Sequence, residues 1–337
     1  MIRTSWKDPK FNRTSKYMLD RNENCDVEVK HLMSKFLNGI SSDTLVRYPN
    51  LRKAYKSIEK LGFDPEKVLL TDGAEHAIRS IIDAHKDLGS IAFPSPTYGM
   101  MPVFAYIFGL KVIDVPYDDD FKLDKDLLML GDIIYIASPD NPTGTLTSLD
   151  DITMFCDSGK IVVLDETYCG FSDATAMSLI NSYSNLYIVR SFSKSHGAAG
   201  IRIGMVISNQ ENIDAMIEQK PAYEINSVAC EYLEFISDHE LEFAASVGRI
   251  LGGKELIEHC LIDSGFSHEQ TFSNFVLTEF DQQLFDHISE VAKVAVVKVS
   301  NRTFLRITAP DTETARELIA HGIFKRNAVV SSSITDR

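Results

Sequence analysis

Short apolar runs recur between residues 68 and 207, and helix-compatible segments separate several of them. The runs are Val68–Leu70, Ile91–Phe93, Val112–Val115, Ile133–Ala137, Ile161–Leu164, Leu186–Val189 and Ile203–Ile207. The runs are apolar or β-branched, and all but Val112–Val115, which contains Asp114, are free of charged residues; such runs are typical of strands that are buried on both faces. The pattern therefore predicts an α/β fold with a mostly parallel, seven-stranded sheet covered by helices.

The pattern changes after about residue 210, where a long helical stretch is followed by strand-like segments and a last helix. These segments are 226–260 (helical), Phe275–Phe280, Val294–Val299 and Phe304–Thr308 (strands), and Asp311–His321 (helix). Helices packed against a small sheet describe an α+β domain. We therefore expect an arm over residues 1–45 that joins the small domain, a large domain over 46–215 and the small domain over 216–337.

Composition and charge narrow the class of protein. The chain has 337 residues, 44% of them hydrophobic and 24% charged, which fits two packed globular domains. Its net charge of −14 repels nucleic acid and anionic lipid, so neither is an expected partner. A small anionic substrate would need a local cationic pocket.

Five scattered cysteines, with no C-x-x-C pair, argue against a disulfide framework and against a zinc site, so no metal is expected. The first ten residues are polar and lack the apolar core of a signal peptide. No apolar run is long enough to span a bilayer. A cytoplasmic protein is the resulting expectation.

Polar segments follow the predicted strands, where open α/β sheets bind their ligands. Gly73, Ala74 and Glu75 open a helix after the first strand, and free backbone amides there could bind an anion. Tyr98 lies in a proline-stiffened loop after the second strand and could stack on a planar ring. Taken alone, an ordinary strand-to-helix turn and a tyrosine packed at a helix start explain these two segments as well or better.

Two further segments offer a hydrogen-bond donor and a carboxylate. Asn141 precedes a proline, so its backbone is held extended and its amide could donate to a phenolate oxygen. Asp165 ends a buried strand, where a carboxylate needs a partner such as a protonated pyridine nitrogen. An ordinary Asn-Pro turn and a helix N-cap remain the structural alternatives.

The segment after the sixth strand places Lys194 among small hydroxyl residues and glycines, eight positions before Arg202. A partly desolvated lysine can form a Schiff base, and Ser191, Ser193 and Arg202 could hold a phosphate. A solvated surface lysine fits poorly because apolar strands flank the segment. Together with Asp165, Asn141 and Tyr98, these are the parts that a pyridoxal 5′-phosphate (PLP) site requires.

The run Ser191–Gly204 resembles the cofactor-lysine signature of the class I/II aminotransferases, which share the aspartate-aminotransferase-like PLP fold. Pro-Thr-Tyr-Gly-Met, Asn-Pro-Thr-Gly and Asp-Glu-x-Tyr are similar to motifs of the same family, in the same order. Arg21–Asn24 and Arg47–Pro49 resemble the histidinol-phosphate aminotransferase-like branch. The resemblance covers nearly the whole chain.

The resemblance implies a role for each of these residues. Lys194 would carry the cofactor and then act as general acid and base, while Asp165 would pair with the pyridine nitrogen. Asn141 and Tyr168 would donate to the phenolate oxygen, Tyr98 would stack on the ring, and Ala74, Glu75, Ser191, Ser193 and Arg202 would cradle the phosphate. Tyr48 would reach the neighbouring subunit's phosphate site, which implies a homodimer with shared active sites, and Arg306 would bind the substrate carboxylate.

Some positions depart from the family pattern around the substrate. In the arm, Cys25-Asp26 stands where the family usually has a proline and an aromatic residue. Asn24, just before it, is a candidate substrate contact. Lys298 lies where histidinol-phosphate enzymes carry a second arginine, and could meet a substrate phosphate as a point charge. Ala309-Pro310 replaces a glycine-containing turn, and His196 replaces an aromatic residue.

The resulting hypothesis is an aminotransferase that acts on a small anionic or phosphorylated oxo substrate, with glutamate as amino donor. The same cofactor site also fits a decarboxylase of a phosphorylated amino acid, similar to threonine-phosphate decarboxylases, and more weakly a C–S lyase. A relative that has lost activity and serves as a binding module would lack the lysine or the aspartate. Lys194 and Asp165 are both present.

Overall fold

The computed structural model describes residues 14–325, so residues 1–13 of the predicted arm and 326–337 of the predicted small domain lie outside it. Its strands are β1 (Tyr17–Leu19), β2 (Val68–Thr71), β3 (Ser90–Ser95), β4 (Lys111–Pro116), β5 (Ile133–Ala137), β6 (Ile161–Asp165), β7 (Leu186–Ser191), β8 (Gly204–Ile207), β9 (His268–Glu269), β10 (Phe275–Glu279), β11 (Ala292–Val299) and β12 (Arg302–Thr308). Its α-helices are α1 (Val27–Gly39), α2 (Ser42–Val46), α3 (Leu51–Lys60), α4 (Gly73–His85), α5 (Met101–Phe108), α6 (Lys125–Leu128), α7 (Leu149–Asp157), α8 (Gln210–Ile217), α9 (Ser227–Asp238), α10 (Glu240–Asp263), α11 (Gln282–Ser289) and α12 (Thr312–Ala320).

The larger sheet contains the seven predicted strands in the order β2-β8-β7-β6-β5-β3-β4. The pairs from β7 to β4 are parallel, and β8 runs antiparallel to both of its neighbours. Successive residues belong to different cores: Leu69 packs on one face of the sheet and Leu70 on the other. The predicted mostly parallel, seven-stranded sheet is confirmed, but its edge strand β4 is largely exposed and is not buried on both faces as expected.

The smaller sheet has the order β1-β11-β12-β10-β9. Strands β10, β11 and β12 pair antiparallel, while β1 pairs in parallel with the start of β11 and so ties the arm to this sheet. The sequence pattern did not predict β1, because a three-residue strand has little periodicity of its own and depends on a partner about 275 residues away.

The predicted helical stretch over 226–260 forms two helices, α9 and α10, which meet at His239. Residues of α9, such as Tyr232 and Ile236, pack in the core of the large sheet, whereas Ile257 and Leu261 of α10 pack in the core of the small sheet. At a rise of about 1.5 Å per residue, the 24 residues of α10 extend over about 36 Å and connect the two cores.

No helix among residues 14–325 is both long enough and apolar enough to cross a membrane. The same residues contain no group of three histidine, cysteine or acidic side chains that could hold a metal ion.

Candidate active site

The carboxyl ends of the central parallel strands, the start of α4, part of the arm and β12 enclose one cavity of about 420 Å³. It lies at the edge of the sheet where open α/β folds bind their ligands. Eleven of the predicted site residues line it: Ala74, Glu75, Tyr98, Asn141, Asp165, Tyr168, Ser191, Ser193, Lys194, Arg202 and Arg306.

Asp165, the last residue of β6, lies buried at the floor of the cavity. It accepts hydrogen bonds from the backbone N–H of Thr167 and from the hydroxyl of Tyr135, both at 2.9 Å. Burial nevertheless raises the pKa of Asp165, because both donors are neutral and the charged form is desolvated. The carboxylate is therefore stabilised by a cation in the cavity, and a protonated pyridine nitrogen fits this requirement.

Lys194 follows β7 and is half-buried. Its Nζ donates to the backbone carbonyl of Arg21, at 2.8 Å, and lies 5.6 Å from the ring centroid of Tyr168. An amine held at a neutral carbonyl, without a carboxylate partner in these contacts, is suited to react with an aldehyde.

The start of α4 forms an anion cradle together with Arg202. Asp72, the N-cap of α4, makes no side-chain hydrogen bond to the helix, so it does not occupy the first backbone amides. Gly73 has φ +79°, and a Cβ there would come within 2.5 Å of Arg202 Nη2. A Cβ at Gly204 would likewise meet the backbone nitrogen of Ala74 at 2.5 Å. The two glycines therefore bring a helix N-terminus and a guanidinium together, which fits a phosphate group.

Arg306, on β12, lies on the substrate side of the cavity. Its Nη1 donates to Asn141 Oδ1 and its Nη2 donates to the backbone carbonyl of Asp20, the latter at 2.7 Å. Its Nε is buried without a hydrogen-bond partner among the described residues, and burial lowers the pKa of Arg306. A buried donor without a partner is costly, so an incoming carboxylate stabilises this guanidinium.

Tyr98 lies across the cavity from the arm, and its hydroxyl donates to Glu75 Oε2 at 3.0 Å. Burial raises the pKa of Tyr98, and the adjacent Glu75 carboxylate adds to the shift. Tyr98 is therefore a neutral phenol, and its hydrogen bond to Glu75 fixes the position of the ring as a possible stacking surface.

Three predicted site residues lie outside this cavity. Tyr48 has an exposed fraction of 80% and stacks on Tyr223 in an adjoining open recess that shares Glu75 and Arg202 with the cavity. Asn24 instead donates to the backbone carbonyl of Ser195 and to Ser246 Oγ.

The structure also does not bring Lys298 to the cavity. Its side chain is exposed, and Lys298 pairs with Thr303, whereas Ala295 pairs with Arg306. Three residues along a strand correspond to about 10 Å, which displaces Lys298 toward the β11–β12 hairpin.

The positions that depart from the family pattern have structural contacts of their own. Asp26 caps α1 and forms an ion pair with Arg249, at 2.7 Å. The ring of His196 packs between Phe192 and Phe243, and burial lowers its pKa to about 4, so it is uncharged at neutral pH.

Sequence reasoning missed two residues that contact the predicted site. Tyr135 donates to Asp165, and the signal was a single hydroxyl within an apolar strand. Asn22 donates through Nδ2 to the hydroxyl of Tyr168, at 3.0 Å. It belongs to the Arg21–Asn24 motif, but nothing in the motif indicates which asparagine faces the cavity.

Fold and site together define a PLP-dependent transferase: a buried carboxylate, an available lysine and an anion cradle surround one cavity. The sequence profile of the family described as aminotransferase class I and II matches residues 15–321. The chain therefore belongs to the class I and II aminotransferases, and the predicted family and cofactor, PLP, are confirmed.

Individual relatives agree with this assignment. Histidinol-phosphate aminotransferase of Pyrococcus furiosus is 31% identical, over 84% of this chain and 84% of the relative. Histidinol-phosphate aminotransferase 1 of Carboxydothermus hydrogenoformans is 29% identical, over 89% and 90%. The crystal structure of histidinol-phosphate aminotransferase from Sinorhizobium meliloti in complex with pyridoxal-5′-phosphate has a TM-score of 0.78 at 20% identity, covering 94% of this chain and 93% of that one. The predicted fold is confirmed by this likeness.

Proposed function

We propose that this aminotransferase moves an amino group between glutamate and a small phosphorylated oxo compound, with histidinol phosphate as the aminated partner. The observation that carries the proposal is Arg306, whose buried Nε lacks a partner in the same cavity as Lys194 and Asp165. The names of the relatives support histidinol phosphate as the substrate.

PLP, when bound, supplies an electron sink for the pair released at the substrate Cα. Asp165 would hold a positive charge on the ring nitrogen, which would strengthen that sink. Asn141 and Tyr168 would donate to the phenolate oxygen, and Tyr98 would stack on the ring. Arg202, Ser191, Ser193 and the amides of Ala74 and Glu75 would bind the phosphate.

Lys194 has two tasks in this proposal. Its Nζ would carry the cofactor and, as a free amine, would act as general base and acid for the proton of the substrate Cα. The carbonyl of Arg21 accepts from the free Nζ at 2.8 Å and so orients the amine.

Arg306 would hold the anionic group of each substrate. A carboxylate can take a bidentate pair from Nε and one Nη, and a phosphate offers the same oxygen spacing. Glutamate presents the first group and histidinol phosphate the second, so one arginine can serve both halves of the reaction.

We also propose a homodimer with shared active sites in the cytoplasm. The recess beside the cavity is bordered by the exposed apolar residues Leu45, Val46 and Tyr48, and it reaches Arg202 from outside. A partner subunit that covers this surface would bring its own Tyr48 to the phosphate cradle. No disulfide joins cysteines among residues 14–325, as in proteins of a reducing compartment.

The test is a steady-state assay of L-histidinol phosphate with 2-oxoglutarate, in which glutamate formation is measured. We expect turnover that requires both compounds and disappears in Lys194→Ala. In parallel, phosphothreonine is incubated with the enzyme and release of carbon dioxide is recorded. Carbon dioxide without glutamate formation would replace the proposal by the decarboxylase alternative.

A further inference from the structure

The arm lines the cavity at residues 20–23 and contacts three of the site residues in succession. The carbonyl of Asp20 accepts from Arg306, the carbonyl of Arg21 accepts from Lys194, and the side chain of Asn22 donates to Tyr168.

Asn22 is held rigidly in an unusual conformation. It is 1% exposed and has φ +56°, in the left-handed region that asparagine tolerates better than most residues. Its backbone N–H donates to Thr308 Oγ1 at 2.9 Å, and its carbonyl accepts from Asn274 Nδ2 at 3.0 Å. The strand residues Arg306 and Thr308 are two positions apart and so share one face of β12, toward the arm.

The hydrogen bonds also define which way the Asn22 amide points. The Thr308 hydroxyl accepts from the backbone N–H of Asn22, so its single hydrogen is left to donate to Asn22 Oδ1, at 3.1 Å. Oδ1 is therefore the acceptor of the amide and Nδ2 the donor. Nδ2 donates to the Tyr168 oxygen, which leaves the Tyr168 hydrogen to be donated elsewhere.

We infer that Asn22 is a positioning residue that directs the hydrogen of Tyr168 toward the phenolate oxygen of the cofactor, an inference that rests on the proposed function. The Thr308 hydroxyl fixes the orientation of the Asn22 side-chain amide. The amide nitrogen donates to a lone pair of the Tyr168 oxygen, so the Tyr168 hydrogen points into the cavity. Asn24, the other asparagine of the motif, has no part in this chain because its amide bonds Ser195 and Ser246.

A pH titration of the visible absorption band of the PLP-loaded enzyme measures directly whether Tyr168 donates to the phenolate oxygen. A hydrogen-bond donor stabilises negative charge on the phenolate oxygen and so lowers the pKa of the nitrogen that joins the cofactor to the lysine. Loss of the donor therefore raises the pH midpoint of the absorption change. We expect Tyr168→Phe to give the full shift of the midpoint. Asn22→Gly removes the amide and keeps the left-handed backbone without strain, and we expect a rise of about half a pH unit or more, smaller than that of Tyr168→Phe.

The double variant separates positioning from a general structural effect. In the Tyr168→Phe background there is no hydrogen to direct, so Asn22→Gly should shift the midpoint no further. An equal shift in both backgrounds, or no shift in either, would overturn the inference.

A second pair of variants covers the case in which Asn22→Gly does not fold. Thr308→Val removes the hydroxyl that orients the amide, and Thr308→Ser retains it. We expect the midpoint to rise with valine and to stay at the wild-type value with serine; equal midpoints would also overturn the inference. Absence of any visible band in loaded wild-type enzyme would instead contradict the proposed function.

Discussion

The two charged side chains Asp165 and Arg306 bind neutral groups in the cavity. Among the described residues, Asp165 accepts from neutral donors, and Arg306 donates to an amide oxygen and a backbone carbonyl. We expect the charge of Asp165 to be compensated by the cofactor ring and that of Arg306 by the substrate. Such uncompensated buried groups are typical of functional sites.

Arg306→Lys tests the substrate side. Lysine keeps the charge and loses the planar fork, so we expect KM for glutamate to rise about tenfold or more while the visible cofactor band is unchanged. Arg302→Lys on the same strand is the matched control, because Arg302 pairs with Glu269 and Glu279 outside the cavity. Equal KM values for wild type and Arg306→Lys would remove Arg306 from the substrate site.

The sequence allowed Lys194, Asp165, Asn141 and Arg202 to be predicted as site residues, because each lies at or near the end of a strand that the pattern locates. It did not allow the partner of Tyr168 to be predicted. The contact between Asn22 and Tyr168 joins residues 146 positions apart and depends on a left-handed turn. The placement of Lys298 depends on the register of β11, which a sequence pattern specifies only through its buried face.

The junction of β2 and α4 is the element that we expect to hold the cofactor phosphate. Gly73→Ala would place a methyl group 2.5 Å from Arg202 Nη2, at φ +79°. We expect the dissociation constant of PLP, titrated through the visible band, to rise at least about tenfold. Gly62→Ala is the matched control, because Gly62 also has positive φ but has no atom within 4 Å of the added Cβ. Similar losses in both variants would attribute the effect to backbone strain.

The loops after β3 and β5 are joined by a buried carboxylate. Asp140 accepts from the hydroxyl of Thr97 and from the backbone N–H and hydroxyl of Thr143, and so links the loop of Tyr98 to that of Asn141. Burial raises the pKa of Asp140 to about 6.

This shift predicts how stability depends on pH. An unfolded aspartate has a pKa of about 3.9, so the folded chain binds an extra proton between about pH 4 and 6. That contribution to the free energy of unfolding is fully present below about pH 4 and is lost as the pH rises through about 6. In urea unfolding, the free energy of unfolding of wild type should fall by about 1 kcal/mol relative to that of Asp140→Asn between pH 5 and 7.5. A difference between the two proteins that does not depend on pH would show that the pKa of Asp140 is not raised.

The elements themselves were largely predictable. All seven strands of the large sheet were expected from short apolar or β-branched runs, and the pattern is strongest in the central strands, which are buried on both faces. The break between α9 and α10 was not expected, because Asp238-His239-Glu240 contains no glycine or proline to mark it.

The whole molecule combines an overall negative charge of −14 with a cavity that gathers Lys194, Arg202 and Arg306. These three cations can each bind an anionic group of a small ligand, while the net negative charge of the chain repels polyanions. The division of the chain at residue 215 stays a prediction. Helix α10 contributes side chains to the cores of both sheets. The sequence pattern alone does not show that one helix belongs to both cores.

Val46→Asp tests the proposed homodimer. Val46 is 77% exposed beside the recess of Tyr48, and a buried charge there would destabilise an interface. We expect light scattering to show a dimer for wild type and a monomer for the variant, with weaker PLP binding. Leu241→Asp is the matched control, since Leu241 on α10 is 84% exposed and lies outside the recess lining. A wild-type monomer would contradict the proposal.

The central claim is that Lys194 and its cavity carry out PLP-dependent transamination, and a half-reaction tests it most directly. The purified protein is loaded with PLP, its visible absorption band is recorded, and L-glutamate is added without any oxo acid. The account predicts that the visible band disappears, that the ultraviolet band of pyridoxamine phosphate grows, and that 2-oxoglutarate is released in equal amount. A visible band that is the same in Lys194→Ala, or a wild-type protein that forms none, would contradict it.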